Sequence, residues 1–385
     1  LRTLLTFVIV AATKKYPSTK ELASYLDENY GARLSTNIAT KGKSQTINVY
    51  SSFVNDVYLP INESLLVRQI QLLSDLFFNP LVQDQKFDEE IVKMKKKELK
   101  ERLQVNKDDK FSYSLDKLFE YMGKNHTLGI PSTGYEDEID TISSHDLYKY
   151  FLETIQNDEK HLYVVGDIDE SIIDILNQHL QFPENNKDYP SAYSFDSQRQ
   201  DVLEIIEEQD LTQSKLNMGY RIDCDFTSNH HYAFTVFNAL FGGFSQSRLF
   251  KVVREENSLC YYVSSSYDAF NGIMIVNAGI EAKDYQKTMS LIKEQLEDIQ
   301  NGNLSDNDIQ IAKIMLQNAL RKTNDEAGSM IALAYNRDIT HKQETNDEYI
   351  QKLLNVSKED IINVAKKVQL DTIFFLTGKD FHGNN

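Results

Sequence analysis

The sequence predicts an α+β protein of two homologous layered domains, each an antiparallel-rich mixed sheet with helices on one side. Two observations predict it: three landmarks recur in the same order in both halves, and a polar, proline-containing stretch of weak apolar periodicity separates them. With 385 residues, 41% hydrophobic and 26% charged, the chain is long enough for two cores and has the composition of a folded globule.

The first landmark is a short amphipathic helix that runs through polar turn residues into a β-rich segment. Residues 22–34 read LASYLDENYGARL and residues 249–261, 227 positions on, read LFKVVREENSLCY. The second is a long charged helix, opened by Phe87-Asp88-Glu89-Glu90-Ile91 and, 218 positions on, by Ser305-Asp306-Asn307-Asp308-Ile309. Both carry acidic residues in the first turn, where the helix dipole favours them. The third is a closing strand: Leu162-Tyr163-Val164-Val165-Gly166-Asp167 matches Phe374-Phe375-Leu376-Thr377-Gly378-Lys379, 212 positions on. The slow drift of the offset is what changes in loop length between duplicated domains produce.

Further strands rest on Thr46-Ile47-Asn48-Val49-Tyr50 and Gly272-Ile273-Met274-Ile275-Val276, and a core helix rests on the stripe Met289, Ile292, Leu296 and Ile299. Roughly the first offset pairs a helix over 229–241 with residues 2–14. The apolar opening run from Leu1 to Ala12 therefore reads as a core helix, too short for a membrane span and not a signal peptide. The first unit is expected to lack its opening strand. The domains are expected at 1–181 and 202–385, with a linker over 182–201 that contains Pro183, Asn185, Asn186 and Pro190.

A net charge of −17 argues against a nucleic-acid partner, because phosphate binding needs a basic face, and favours basic peptides. Cys224 and Cys260 form no close pair, so a disulfide framework is not indicated, and a reducing, cytoplasmic location without membrane attachment is expected. Gly242-Gly243 lacks the Lys-Ser/Thr or third glycine of a nucleotide loop and reads as a tight turn between two helices. Ser245 and Ser247 have no nucleophile-elbow context.

The run Phe241-Gly242-Gly243-Phe244-Ser245-Gln246-Ser247-Arg248-Leu249-Phe250, followed by Val253-Arg254-Glu255 and Leu259-Cys260-Tyr261, resembles the pitrilysin/insulinase peptidases. So do Asn125-His126-Thr127-Leu128-Gly129 with Gly134, and Val165-Gly166-Asp167. The resemblance spans essentially the whole chain. It is to the processing-peptidase branch, and in particular to the non-catalytic members of insulinase-like pairs in Gram-positive bacteria. It implies two domains arranged as half of a clamshell.

Active members of that family carry His-x-x-Glu-His on a helix, where two imidazoles one turn apart bind zinc and the glutamate activates water. The motif ends shortly before a turn that Thr13-Lys14-Lys15-Tyr16-Pro17 resembles. Counting back places the two histidines on Thr3 and Phe7 and the general base on Thr6, so the resemblance implies no metal here and no catalytic residue in isolation. Glu98 and Glu101, on the helix of the family's third ligand, read as solvated charges among lysines. No two of the eight histidines stand at i, i+4, and His230 and His231 point to different faces.

The family's Arg/Tyr pair, seven residues apart, matches Arg254 and Tyr261. By themselves these residues read as an Arg254 ion pair with Glu255 or Glu256 and a half-buried strand tyrosine. The resemblance implies instead that both reach substrate: the guanidinium for a peptide carbonyl, the phenol for a developing oxyanion. The function so implied is a non-catalytic, peptide-binding partner of a zinc-bearing insulinase-like subunit, with the zinc held by that partner. A scaffold without proteolytic role, or a peptide-binding homodimer, are the alternatives.

Overall fold

A computed structural model describes residues 1–60, 64–124, 126–185, 201–228 and 230–379. Asn125, Asn229 and positions 186–200 of the expected linker lie outside the described residues. The chain divides into two units. One comprises Leu1–Thr40, Gln45–Asn106 and Pro131–Pro190, the other Lys41–Ser44, Lys107–Ile130 and Ser191–Asn385.

The first unit opens on α1 (Arg2–Ile9) and α2 (Thr19–Glu28), followed by paired strands β1 (Arg33–Lys41) and β2 (Ser44–Ser52). It continues with α3 (Leu65–Phe78), the short antiparallel ribbon β3 (Val82–Gln83) and β4 (Lys86–Phe87), and α4 (Glu89–Asp108). Side-chain caps start these helices where the sequence supplies serine: Ser18 accepts from the Glu21 amide and Ser64 from the Val67 amide. Its core gathers Leu4, Leu5, Val8 and Ile9 of α1 with Leu76, Phe87, Val92, Leu99, Leu147 and Phe151. Phe151 lies on α7 (Ser144–Asn157), which follows α5 (Lys110–Met122) and the single-turn α6 (Glu136–Ile139) and precedes α8 (Ser171–His179).

The second unit is built on a five-stranded sheet in the order β5-β9-β6-β8-β7, from β5 (Leu203–Gln209), β6 (Ser214–Arg221), β7 (Cys260–Asp268), β8 (Ile273–Ile280) and β9 (Gln369–Gly378). β5 runs parallel to β9 and the other pairs are antiparallel, so the sheet is the expected antiparallel-rich mixed one. Its helices are α9 (His230–Asn238), α10 (Tyr285–Gln300), α11 (Asp306–Thr323), α12 (Ala327–Thr340), α13 (Asn346–Leu354) and α14 (Lys358–Ala365). Reciprocal capping boxes, Ser305 with Asp308, Thr345 with Glu348 and Ser357 with Asp360, start α11, α13 and α14.

Three expectations need correction. The first concerns the layers. Alternate residues of β9 face opposite cores: Ile373 and Phe375 pack with the α9 and α10 side, while Phe374 and Leu376 pack with Leu118 and Met122 of α5. The sheet is therefore covered on both faces, not one. The second concerns the boundary at 181. Leu118 and Met122 are essentially fully buried against this sheet, each worth about 1.5–3 kcal/mol. That burial draws residues 107–130 into the second unit. Gly219 permits the approach, since a Cβ there would stand 2.7 Å from the Met122 sulfur.

The third concerns residues 162–167. They form no ladder among the described residues, and Leu162, Val164 and Val165 are exposed. Their counterpart β9 lies between β5 and β6, which accept and supply its ladder hydrogen bonds. An apolar run without a neighbour to accept its amides does not make a strand.

Candidate functional site

The positions Thr3, Thr6 and Phe7 lie on α1, and each is engaged within the first unit. The Thr3 hydroxyl donates to the Ser132 carbonyl at 2.9 Å. Thr6, 3% exposed, donates its hydroxyl back to the Thr3 carbonyl at 2.7 Å, and its own carbonyl accepts from the Thr36 hydroxyl at 2.8 Å. The Arg102 guanidinium of α4 lies over the Phe7 ring, 5.6 Å from its centroid. A cation thus covers the ring on the helix that, by the resemblance, would face it with an acidic ligand. Glu98 and Glu101 are exposed and pair with Lys95 and Lys97 of their own helix, at 2.7 and 3.7 Å. Hydroxyls, a phenyl ring and a guanidinium offer no imidazole or carboxylate to a cation. Among the described residues, no three His, Cys, Asp or Glu side chains gather as a metal site.

Arg254 and Tyr261 belong to a different setting. The chain after α9 winds into two π-helical segments, Ala239–Gly243 and Phe250–Glu256, a conformation often found at functional sites. The double glycine is therefore part of a π-helical segment and not a tight turn between helices. A Cβ on Gly242 would stand 2.7 Å from the Ser265 amide nitrogen of β7, so the missing side chain lets the segment lie directly on the strand. Ser258 then turns the chain into β7 through a left-handed φ of 53°, with its amide donating to the Arg254 carbonyl at 3.1 Å.

β7 is an edge strand, and its pairing with β8 slips at its start. Cys260 opposes Ile280 and Tyr262 opposes Gly279, which leaves Tyr261 as the extra residue of a β-bulge. The bulge separates two adjacent tyrosines. Tyr262 is pressed onto the sheet, its ring 2.4 Å from where a Gly279 Cβ would stand and 5.7 Å from the Phe111 ring. Tyr261 is 66% exposed, not half-buried.

Arg254 forms no ion pair with Glu255 or Glu256; its guanidinium rests on the Phe250 ring, 4.6 Å from the centroid. Burial pushes the Cys260 thiol up to about 11 against the pull of the Arg254 charge, so Arg254 acts electrostatically on the residue next to Tyr261. Arg254 and Tyr261 are thus both exposed to solvent. The bulge and the π-helical segments carry no sequence signal by themselves, and the arginine that caps Phe7 was equally silent.

Helix α9 places His231 and His230 on opposite sides, one buried and one exposed. Burial pushes His231 down to about 3, so it is neutral, and its Nε2 lies 3.0 Å from the Tyr349 hydroxyl. Cys224 is buried and its thiol is pushed up to about 12, which leaves it protonated and unreactive.

With this geometry in hand, the chain can be compared with known proteins. The family description "Peptidase M16 inactive domain" matches residues 141–316. The chain is 36% identical over 380 residues to the probable inactive metalloprotease YmfF of Bacillus subtilis, covering 98% of this chain and 89% of that one. It is 23% identical over 303 residues to the uncharacterized zinc protease YmxG of the same species, covering 78% and 72%. Among solved structures, a conserved protein from Enterococcus faecalis superposes with a TM-score of 0.90 at 31% identity, covering 100% of this chain and 90% of that chain. A protease from Helicobacter pylori shares the fold with a TM-score of 0.77 at 16% identity, covering 97% and 88%.

Proposed function

This chain belongs to the M16 peptidase family as an inactive member, and we propose that it is the peptide-binding partner of a zinc-bearing M16 subunit, to whose active site it lends Arg254 and Tyr261. One observation carries the proposal. The bulge at the start of β7 turns Tyr261 out to solvent while its neighbour Tyr262 is packed away, and a bulge of this kind re-aims a side chain toward a site.

In the reaction so envisaged, the outer edge of β7 accepts an extended peptide as an added strand, and main-chain hydrogen bonds fix its register. Arg254 supplies planar donors to a substrate carbonyl. The Tyr261 phenol donates to the oxygen on which charge develops, an interaction that strengthens in the transition state. The partner's zinc supplies the activated water. With no imidazole at positions 3 and 7 and no carboxylate at 6, the chain contributes binding and electrostatics rather than a nucleophile.

The test is to measure zinc content and peptidase activity of the purified protein alone and mixed with an M16 protein of the same genome that retains His-x-x-Glu-His. A metal-free protein, inactive alone and required for turnover in the mixture, is the expected result. Stoichiometric zinc with activity alone would overturn the proposal, as would a mixture no more active than the zinc-bearing subunit by itself.

A further inference from the structure

On the helical side of the second unit, α9, α13, α14 and the loop between α12 and α13 border an open cavity of about 620 Å³. Its wall includes Tyr232, Lys342, Glu344, Lys352, Asn355 and Asn363. Lys342 and Lys352 both approach the Tyr232 ring, at 5.0 and 5.2 Å from its centroid. This arrangement plays no part in the peptide site proposed on β7.

Two lysines, Lys342 and Lys352, and two carboxylates, Glu344 and Asp360, line the wall, and both carboxylates are engaged by other groups. Glu344 accepts from the Tyr232 hydroxyl at 2.7 Å and from Lys352 at 2.9 Å, so its carboxylate is neutralised in place. Asp360 also lines the cavity, but it is taken up by its capping box, accepting from the Ser357 amide at 2.9 Å and the Ser357 hydroxyl at 2.6 Å. Lys342 is left over. Among the described residues its ammonium has neither a hydrogen-bond acceptor nor an ion-pair partner, and burial pulls its pKa below the ordinary 10.5 against the weaker attraction of Glu344 and Asp225.

Lys313, a second lysine in the same unit, shows how this fold satisfies a buried ammonium. It donates to the Leu354 and Val356 carbonyls, both at 2.7 Å. The cation–π contact of Lys342 returns about 0.5–2 kcal/mol, less than two such bonds to a charge. Asn355 and Asn363 border the cavity as exposed side chains, with their amides available to a ligand.

The loop that carries Lys342 is fixed at both ends. His341 closes α12 in the left-handed conformation, with φ 54°, and the Lys342 amide donates to the Arg337 carbonyl at 3.0 Å. Three residues on, Thr345 starts α13 with its capping box. The backbone of Lys342 is thus fixed at the wall of the cavity, with its ammonium against the Tyr232 ring, so an anion that meets it orders little further backbone.

We infer that this cavity binds a compact oxyanion, a carboxylate or phosphate group, through Lys342 with Asn355 and Asn363 as further donors. The thermal midpoint of the full chain would be followed while inorganic phosphate, or a short peptide with a free C-terminal carboxylate, is added at constant ionic strength, with chloride as the reference. A saturable rise beyond that in chloride is expected with at least one probe. The responding probe tells a free phosphate from a peptide carboxylate. Lys342→Gln should weaken that binding at least tenfold, and Lys342→Arg, which keeps the charge, should retain most of it. Responses no larger than in chloride, or a saturable response that survives Lys342→Gln, would overturn the inference.

Discussion

The helix that opens the first unit and the strand that edges the second treat their polar groups in opposite ways. On α1, Thr3 and Thr6 donate their hydroxyls to carbonyls of their own unit, and Phe7 lies under Arg102. On and before β7, Tyr261 and Arg254 face outward, with Arg254 resting on an aromatic ring and in no ion pair among the described residues. Where the family's metal chemistry would be, side chains are turned to holding the fold together. Where its recognition pair would be, side chains are kept out of the fold and the backbone bends to keep them so. A polar residue that binds something else has to be spared from internal work, and the proposed role of Arg254 and Tyr261 rests on that contrast.

Substitutions can break or sharpen this contrast, and the largest effect is expected beneath the spared pair. Gly242→Val would drive a side chain into the Ser265 backbone at the base of the π-helical segment and should cost about 2–3 kcal/mol, read by urea denaturation. A negligible cost would mean that the close approach of this segment to β7 is not needed.

The buried His231 gives a slope with pH. Its folded pKa, about 3, lies below the ordinary 6.5, so below pH 6.5 the unfolded chain binds the extra proton. Stability is fully present above pH 6.5 and should fall toward pH 3 by up to about 1.4 kcal/mol per pH unit from this group. His231→Gln should flatten that part of the profile.

Thr6→Val removes a hydroxyl bonded within a buried helix and should cost about 1 kcal/mol, because position 6 belongs to the fold. Arg254→Ala and Tyr261→Phe should each shift stability by less than about 0.5 kcal/mol, as exposed groups outside the packing do. A loss of several kcal/mol in either would make it a structural residue and erase the contrast.

Much of the architecture was legible in the sequence because it rests on periodicity and repetition. The charged helices α4 and α11 begin where acidic first turns announce them, and the unbroken apolar run in β8 marks a strand that is buried on both faces. The crossing of α5 into the second unit was not legible. Its apolar stripe, Leu118 and Met122, says that one face is buried but not against which sheet. Residues 162–167 have strand-forming side chains, yet pairing is decided by a neighbour that local sequence does not contain.

At the candidate site, residue type sufficed to see what α1 lacks, since no substitution of Thr3, Thr6 or Phe7 by chemistry elsewhere on that helix is available. It did not reveal the bulge that separates Tyr261 from Tyr262, because a one-residue slip is a property of two strands together. Lys342 was invisible for a similar reason. Its isolation depends on Glu344 and Asp360 being engaged elsewhere, which only three-dimensional pairing discloses.

The most direct test is turnover of a reconstituted pair, this chain with a zinc-bearing M16 subunit, comparing the wild type with Arg254→Ala and Tyr261→Phe at equal complex concentration. A fall in kcat of about 10²–10³-fold for Tyr261→Phe, with assembly unchanged, is the predicted result for a lost oxyanion donor. Unchanged turnover in both variants would contradict the account and leave the chain as a scaffold of the same fold.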